Sequence, residues 1–374
     1  MHYLDNSATT AVSPAAAQKA LEIMTGNFGN PSSLHTLGIR AEHELEAARK
    51  EIALAIGADS GEITFTSGGT EANNLAVFGA AEAKRRTCKR VIISSVEHSS
   101  VLEAAKRLAD DGFEVVRISP AEDGAVQPSD VAAAVTADTS LVSVMLVNNE
   151  TGAVNPVAEI FEAVRLRNRN VICHTDAVQA FSKLDFKVKK LGADLLTVSA
   201  HKVHAPKGCG ALYIKKGVRI LPRQYGGEQE KRLRPGTEPL PAIAAFGVAC
   251  SEFDIAGNVA LVKELNGYAR ERLLQIDGVV LNSPENALPY VLNISAGRVR
   301  SETMLHFLEE REIYVSSGSA CAKGKPSHVL GAMGYSKQRA DSALRISFSK
   351  HNTKEDIDAL AQGIALGLQT LAHR

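Results

Sequence analysis

Short apolar runs rich in β-branched residues recur through the first two thirds of this chain, and stretches of helical periodicity separate them. The runs are Ile63-Thr64-Phe65-Thr66, Val91-Ile92-Ile93-Ser94, Leu141 to Leu146, Val171-Ile172-Cys173-His174 and Leu195-Leu196-Thr197-Val198. Between them, Ala41 to Ile56 and Val101 to Asp110 carry apolar residues at helical spacing. Strands that are apolar throughout must be covered on both faces, and parallel neighbours need long crossover connections. The alternation therefore predicts an α/β fold, a largely parallel sheet between helices. Ligands on such sheets bind beyond the carboxyl ends of the strands, so the residues just after each run are the ones to inspect for chemistry.

After about residue 250 the pattern changes to long helices with a few short strands, including Tyr290 to Ile294 and Leu344 to Phe348. A chain of 374 residues suits a large domain plus a smaller one. The expected division is a large domain over 13–250 and a small α+β domain formed by 1–12 and 251–374. The last helix has a start signal at Asn352 with Glu355 three positions later, followed by Ile357, Leu360, Ala361, Ile364, Leu368 and Leu371 on one face. That face is expected to pack on the small domain's sheet.

Lys plus Arg and Asp plus Glu both total 42, so no net field draws the molecule to nucleic acid. The N-terminal residues lack the basic and apolar segments of a secretory signal, and nowhere do 18 apolar residues run together. A cytoplasmic protein without membrane contact is expected. Cys88, Cys173, Cys209, Cys250 and Cys321 are scattered without a C-x-x-C pair, which points to free thiols and no structural metal.

Three of the strand ends carry residues that suit one cofactor. Ser67-Gly68-Gly69-Thr70-Glu71 opens a helical run, where backbone N–H groups and the Thr70 hydroxyl can hold a phosphate. Asp176 follows a strand, where a carboxylate can keep a pyridine nitrogen protonated, and Gln179 lies one helical turn on. Lys202, in Ser199-Ala200-His201-Lys202, offers an amine, and partial burial near cations favours its neutral form. Ser199 and His201 can join the phosphate contacts, and His98, in Glu97-His98-Ser99-Ser100, can stack on a ring and relay protons. Taken singly, each has a plainer reading: a Gly turn with a Thr cap, an Asp N-cap, a surface lysine, a capping or core histidine. Taken together they describe a pyridoxal phosphate site. Cys321 lies among small polar residues beside Lys323 and Lys325, a setting that favours thiolate, although an unremarkable exposed thiol is the simpler reading.

Nearly the whole chain resembles the cysteine desulfurases of the NifS/IscS-like branch, within the class V aminotransferase superfamily. The matching blocks include Tyr3 to Thr10, Gly29 to His35, Thr66 to Asn74, Glu97 to Val101, Asn148 to Gly152, His174 to Ala180, Ser199 to Lys202, Arg234 to Thr237 and Ser316 to Cys321. The resemblance implies a fold-type I transferase dependent on pyridoxal 5'-phosphate, with a mostly parallel seven-stranded sheet. It makes Lys202 the lysine that holds the cofactor, Asp176 the partner of the pyridine nitrogen and His98 the stacking acid–base residue. It assigns Gly69, Thr70, Ser199 and His201 to the phosphate, and Asn149 and Gln179 to the ring oxygen and nearby substrate. Thr237 is expected to reach the phosphate in the other subunit of a homodimer, and Arg345 to grip the substrate carboxylate through a bidentate pair. Cys321 is then the nucleophile that takes sulfur from L-cysteine as a persulfide, leaving L-alanine. The acceptor is expected to be a protein, an iron–sulfur scaffold or a tRNA-thiolation enzyme.

This chain departs from the branch in a short segment between Cys321 and Pro326-Ser327, in Glu228 and Ala205 where glycines are common, and in ending at Arg374. Other readings share parts of the pattern: a selenocysteine lyase, an aminotransferase, or a non-catalytic sulfur-relay or scaffold protein. The joint presence of Lys202, Asp176, His98, Cys321 and Arg345 argues for the desulfurase.

Overall fold

The computed structural model describes residues 1–318 and 327–371. Its twelve described strands are β1 (His2–Tyr3), β2 (Ile63–Thr66), β3 (Arg90–Ser94), β4 (Glu114–Ile118), β5 (Thr139–Ser143), β6 (Ile172–Asp176), β7 (Leu195–Ser199), β8 (Gly210–Ile214), β9 (Val279–Leu281), β10 (Val291–Ala296), β11 (Ile313–Tyr314) and β12 (Ala343–Ser347). Seven form the main sheet in the order β2-β8-β7-β6-β5-β3-β4. The neighbours from β7 to β4 are parallel, whereas β8 runs antiparallel to both β7 and β2.

All five expected runs are strands of this sheet. β4 escaped notice because it is an edge strand whose residues are exposed or half-buried, so no apolar run marks it. The run Leu141 to Leu146 is strand only to Ser143. Val144 and Leu146 continue as irregular backbone whose N–H groups donate to the carbonyls of His174 and Asp176. Alternation supplies two cores: Val91 and Ile93 pack with Leu75, Val77 and Leu108 on one face, and Ile92 packs with Val142, Phe161 and Leu196 on the other. Each such side chain contributes about 2 kcal/mol by leaving water.

The C-terminal third forms an antiparallel sheet, β12-β10-β9, with Asn293 opposite Arg345. β1 pairs in parallel with β11. The N-terminal segment then runs beside β12, where Ser347 N donates to Leu4 O and Asn6 N to Ser347 O. This pairing carries Asp5, Ser7 and Ala8 toward the strand ends of the main sheet.

The last helix spans Lys354–Thr370 and is capped one residue later than expected, by the pair Thr353 and Asp356. Asn352 and Thr353 are both followed by an acid at the right spacing, but the Asn352 amide is taken: its Oδ1 accepts from Ser349 N, and its Nδ2 donates to Tyr3 O and Asp356 Oδ2. The helix packs against Ile255–Leu274, Ser301–Glu309 and the β1–β11 pair, and its buried Ile357, Leu360 and Ile364 share one core cluster with Leu292, Ile294 and Ile346 of the three-stranded sheet. Gly363 and Gly367 permit the close approach, since an added Cβ would come within 2.7 Å of Leu308 Cδ2 and 2.6 Å of Met304 Sδ. No single helix among the described residues is long and apolar enough to cross a membrane.

Candidate active site

The carboxyl ends of β2, β3, β5, β6 and β7 open on one side of the main sheet, and these ends and the segments that follow them carry nine of the twelve expected residues, Arg345 being in β12. Ten of those twelve, namely Gly69, Thr70, His98, Asn149, Asp176, Gln179, Ser199, His201, Lys202 and Arg345, line a single pocket of about 240 Å³. Thr237 does not line it and is exposed. Cys321 lies outside the described residues.

At one end of the pocket the helix Gly69–Lys84 begins after Gly68, whose φ of 153° suits glycine. The first helical N–H groups have no partner within the helix, which makes this end receptive to an anion. An added Cβ at Gly69 would sit 3.1 Å from Val178 Cγ2 and 3.6 Å from Ser199 Cβ, so the glycine keeps this floor low. The Ser199 hydroxyl is buried and has no hydrogen-bond partner. His201 donates or accepts through Nδ1 to Thr9 Oγ1 at 3.2 Å, and burial, with the charges of Lys202, Lys207 and Lys183, pushes its pKa down to about 4. A neutral His201 can donate to a phosphate without adding charge.

Deeper in, Asp176 Oδ2 accepts from Asn73 Nδ2 at 2.7 Å and Oδ1 from Val178 N at 2.9 Å. The same Asn73 amide donates to Ser100 Oγ at 2.8 Å. Ser100 Oγ lies 2.8 Å from His98 Nδ1, and Ser100 N donates to that nitrogen at 3.2 Å. Burial lowers the His98 pKa; Asp176 opposes this, and Lys202 and His328 add to it.

Lys202 Nζ donates to the carbonyls of Ser7 at 2.6 Å and Ala8 at 2.7 Å. Gln179 Nε2 donates to the same Ser7 carbonyl at 3.0 Å, and its Oε1 accepts from Lys183 Nζ at 3.3 Å. Desolvation, with Lys202 and Arg345 nearby, pushes Lys183 down to about 7. The N-terminal segment thus forms one wall of the pocket and contacts the lysine through two backbone carbonyls.

Arg345, only 2 % exposed, lines the pocket from β12, beside the N-terminal segment. Its Nη2 donates to Asp5 Oδ1 at 2.8 Å and its Nη1 to Asn149 O at 3.1 Å, while Nε is buried without a partner. Beside it, Ser327 Oγ donates to the buried Glu150 carboxylate, and Gly318, with φ of 117°, abuts the same carboxylate. The two described residues that flank 319–326 therefore meet on Glu150.

These residues fit a phosphorylated pyridine aldehyde. A helix start and an unpartnered hydroxyl await an anion, a carboxylate with fixed orientation and a histidine line the same pocket, and an amine reaches it. Sequence reasoning missed Asn73, Lys183, Glu150 and the Ser7 and Ala8 carbonyls. Asn73, Glu150, Ser7 and Ala8 lay within the matching blocks, and Asn73 and Lys183 at helical spacing from Gly69 and Gln179, usable signals; that these groups meet depends on tertiary packing.

The aminotransferase class-V family matches residues 2–360. The chain is 41 % identical over 378 residues to a cysteine desulfurase IscS of Methanosarcina thermophila, covering 99 % of this chain and 93 % of that one. Its fold superposes on a NifS-like protein with a TM-score of 0.93 at 35 % identity, covering 99 % of both chains. It is also similar to the structure of SspA in complex with cysteine, with a TM-score of 0.84 at 33 % identity, over 94 % of this chain and all of that one.

Proposed function

The chain belongs to the class-V aminotransferase family, and from that premise we propose that it works as a pyridoxal phosphate-dependent cysteine desulfurase, converting L-cysteine to L-alanine and passing the sulfur to Cys321. The observation that carries the reading is the convergence of ten residues, drawn from separate strand ends and from β12, on one pocket with an unpartnered hydroxyl at a helix start. When bound, pyridoxal phosphate supplies an aldehyde for the substrate amine and a cationic ring that withdraws electrons from Cα. Gly69, Thr70, Ser199 and His201 would hold its phosphate, Asp176 its ring nitrogen, Gln179 and Asn149 its ring oxygen, and Lys202 its aldehyde carbon.

This chain's residues then have distinct tasks. Arg345 binds the substrate carboxylate, and its unpartnered Nε is a donor available for that purpose. Lys202 would move the Cα proton, an acid–base role open to an amine in contact with neutral backbone carbonyls. The Cys321 thiolate attacks the substrate sulfur: an S–S bond forms, the Cβ–S bond breaks, and the released electron pair stays on the substrate carbon, which is protonated to give alanine. Among the other cysteines, burial pushes Cys173 up to about 12 and raises Cys209 and Cys250, so these three are poor nucleophiles at neutral pH.

A homodimer belongs to this reading. Thr237 is exposed and away from its own chain's pocket, and Phe28 and Leu34 are 67 % and 97 % exposed, apolar surface that a second copy would cover. The division into a large unit of residues 13–250 and a second unit of 1–12 and 251–374, a cytoplasmic setting, and a protein acceptor for the sulfur complete it. The test is alanine release from L-cysteine by cofactor-loaded protein with a thiol reductant, beside Cys321→Ser. Alanine from the native protein alone supports the assignment. Alanine from both removes Cys321 from it, and alanine from neither, with the cofactor's visible band present, counts against L-cysteine as substrate.

A further inference from the structure

A chain of three hydrogen bonds joins Asp176 to His98, and each has only one chemically consistent direction. Asp176 Oδ2 is a carboxylate oxygen 2.7 Å from the Asn73 side chain, so the Asn73 NH₂ group, not its carbonyl, must face it. The second hydrogen of that NH₂ points to Ser100 Oγ at 2.8 Å. Ser100 Oγ therefore accepts from Asn73, and its single hydrogen is left for His98 Nδ1, 2.8 Å away. The Ser100 backbone N–H, which can only donate, reaches the same Nδ1 at 3.2 Å. His98 Nδ1 thus accepts two hydrogen bonds and carries no proton.

We infer that Ser100 and Asn73 are positioning residues that lock His98 in its neutral, Nε2-protonated tautomer, with Asp176 setting the direction of the whole chain. The consequence rests on the reading that His98 lines a cofactor pocket: the imidazole meets the bound cofactor as a neutral hydrogen-bond donor, not as a cation. Forming the cation would place a proton on Nδ1, opposite the fixed Ser100 N–H and against the Ser100 hydroxyl, which would have to turn away. The charged groups that face the ring pull in different directions. Asp176 on β6 favours the cation, whereas Lys202, in the turn after β7, and His328, on the helix His328–Ala332, oppose it. Burial opposes it most. The hydrogen-bond chain adds a directional barrier to that electrostatic one.

The experiment is nitrogen-15 NMR of the histidine side chains in the full-length protein, with and without pyridoxal phosphate, with the His98 signals identified by their loss in His98→Gln. The expected result is an unprotonated Nδ1 and a protonated Nε2 throughout the neutral range. In Ser100→Ala the His98 midpoint should rise by about one pH unit, the size of one lost hydrogen bond to the neutral ring, and an Nδ1-protonated population should appear. Ser100→Thr, which keeps the hydroxyl, should restore the native pattern and controls for mere disturbance of the helix start. A protonated Nδ1 in the native protein, or a midpoint unmoved in Ser100→Ala, overturns the inference. The hydrogen bonds exist within the polypeptide, so the cofactor-free spectra decide the tautomer even if loading gives no visible band. That second outcome would count against the proposed function alone.

Discussion

The two walls of the pocket are built on different principles. The wall assigned to the cofactor comes from strand ends and the first helical turns after them, and it keeps polar atoms in reserve: Ser199 Oγ and Asn73 Oδ1 are buried without partners. The wall assigned to the substrate is assembled from segments far apart in the chain and is mostly paired within itself. Arg345 binds Asp5 and the Asn149 carbonyl, and Ser327 binds Glu150. A buried polar atom without a partner costs about 1–3 kcal/mol, so the first wall is arranged to be completed by a ligand. The second must exchange internal contacts for external ones, which makes its affinity a difference between similar terms.

The largest effect that tests this contrast is Lys202→Ala. Loss of the only lysine among the described residues that line the pocket should lower alanine formation by about 10⁴-fold, the upper range for removal of an acid–base group, with loss of covalent cofactor attachment. Borohydride reduction followed by mass analysis of the protein reads the attachment directly. Retained attachment in the variant would place the reactive amine elsewhere, with Lys183 as the next amine to examine.

On the substrate wall, Arg345→Ala should reduce kcat/KM for L-cysteine by about 10²- to 10³-fold. It should also destabilise the fold by about 1 kcal/mol, because the partly exposed Asp5 loses its partner. Arg345→Lys should recover little, since an ammonium cannot reproduce the planar fork. Steady-state kinetics and urea unfolding separate the two losses. A variant that is destabilised yet keeps its kcat/KM would make Arg345 a structural bridge only.

A third effect concerns the floor beneath the cofactor wall. Glu97 is buried, with Oε1 accepting from Ser94 Oγ and Met145 N and Oε2 unpartnered. Burial pushes its pKa up to about 8, with Asp176 adding to the rise and the two hydrogen bonds opposing it. Between about pH 4.5 and 8 the folded chain therefore holds a proton that the unfolded chain has released. The group's stabilising contribution is complete below its unfolded pKa and is lost as pH rises toward 8, by up to about 1.4 kcal/mol per pH unit. Glu97→Gln mimics the protonated form and should flatten this slope in urea titrations run across that range. An unchanged slope would mean that Glu97 is ionised in the fold.

The same contrast governs what the sequence made legible. Gly69, Thr70, His98, Asp176, Ser199 and Lys202 follow apolar runs directly, so a parallel sheet brings them to one edge by topology alone, and recognising the runs was enough to group them. β8 breaks the parallel pattern and β4 has no apolar run, yet neither displaces those ends. Asn149 and Glu150 also follow an apolar run, but Asp5, Ser327 and Arg345 carry no comparable local signal. Arg345 was named through resemblance, but its pairing with Asp5 depends on the N-terminal segment lying beside β12, a contact across 340 residues. Thr353 and Asn352 show the same limit at short range. Two adjacent residues had equivalent capping potential, and a turn at Ser349 decided between them.

The smallest effect is the most discriminating for the substrate wall. Asp5 is 20 % exposed at its side chain and accepts from Arg345 Nη2 at 2.8 Å, so an incoming carboxylate meets a partner already in place. Neutralising it in Asp5→Asn keeps a polar side chain of the same size beside the guanidinium and removes the charge that repels the substrate. KM for L-cysteine should fall about fivefold, which is less than 1.4 kcal/mol, as expected for a partly exposed pair. The turnover number should change less than about twofold, because Asp5 does not act on Cα or sulfur. If KM rises instead, Asp5 serves to aim the guanidinium. The substrate wall would then be preorganised like the cofactor wall, and the Arg345–Asp5 pair would remain intact while Nε and Nη1 receive the carboxylate.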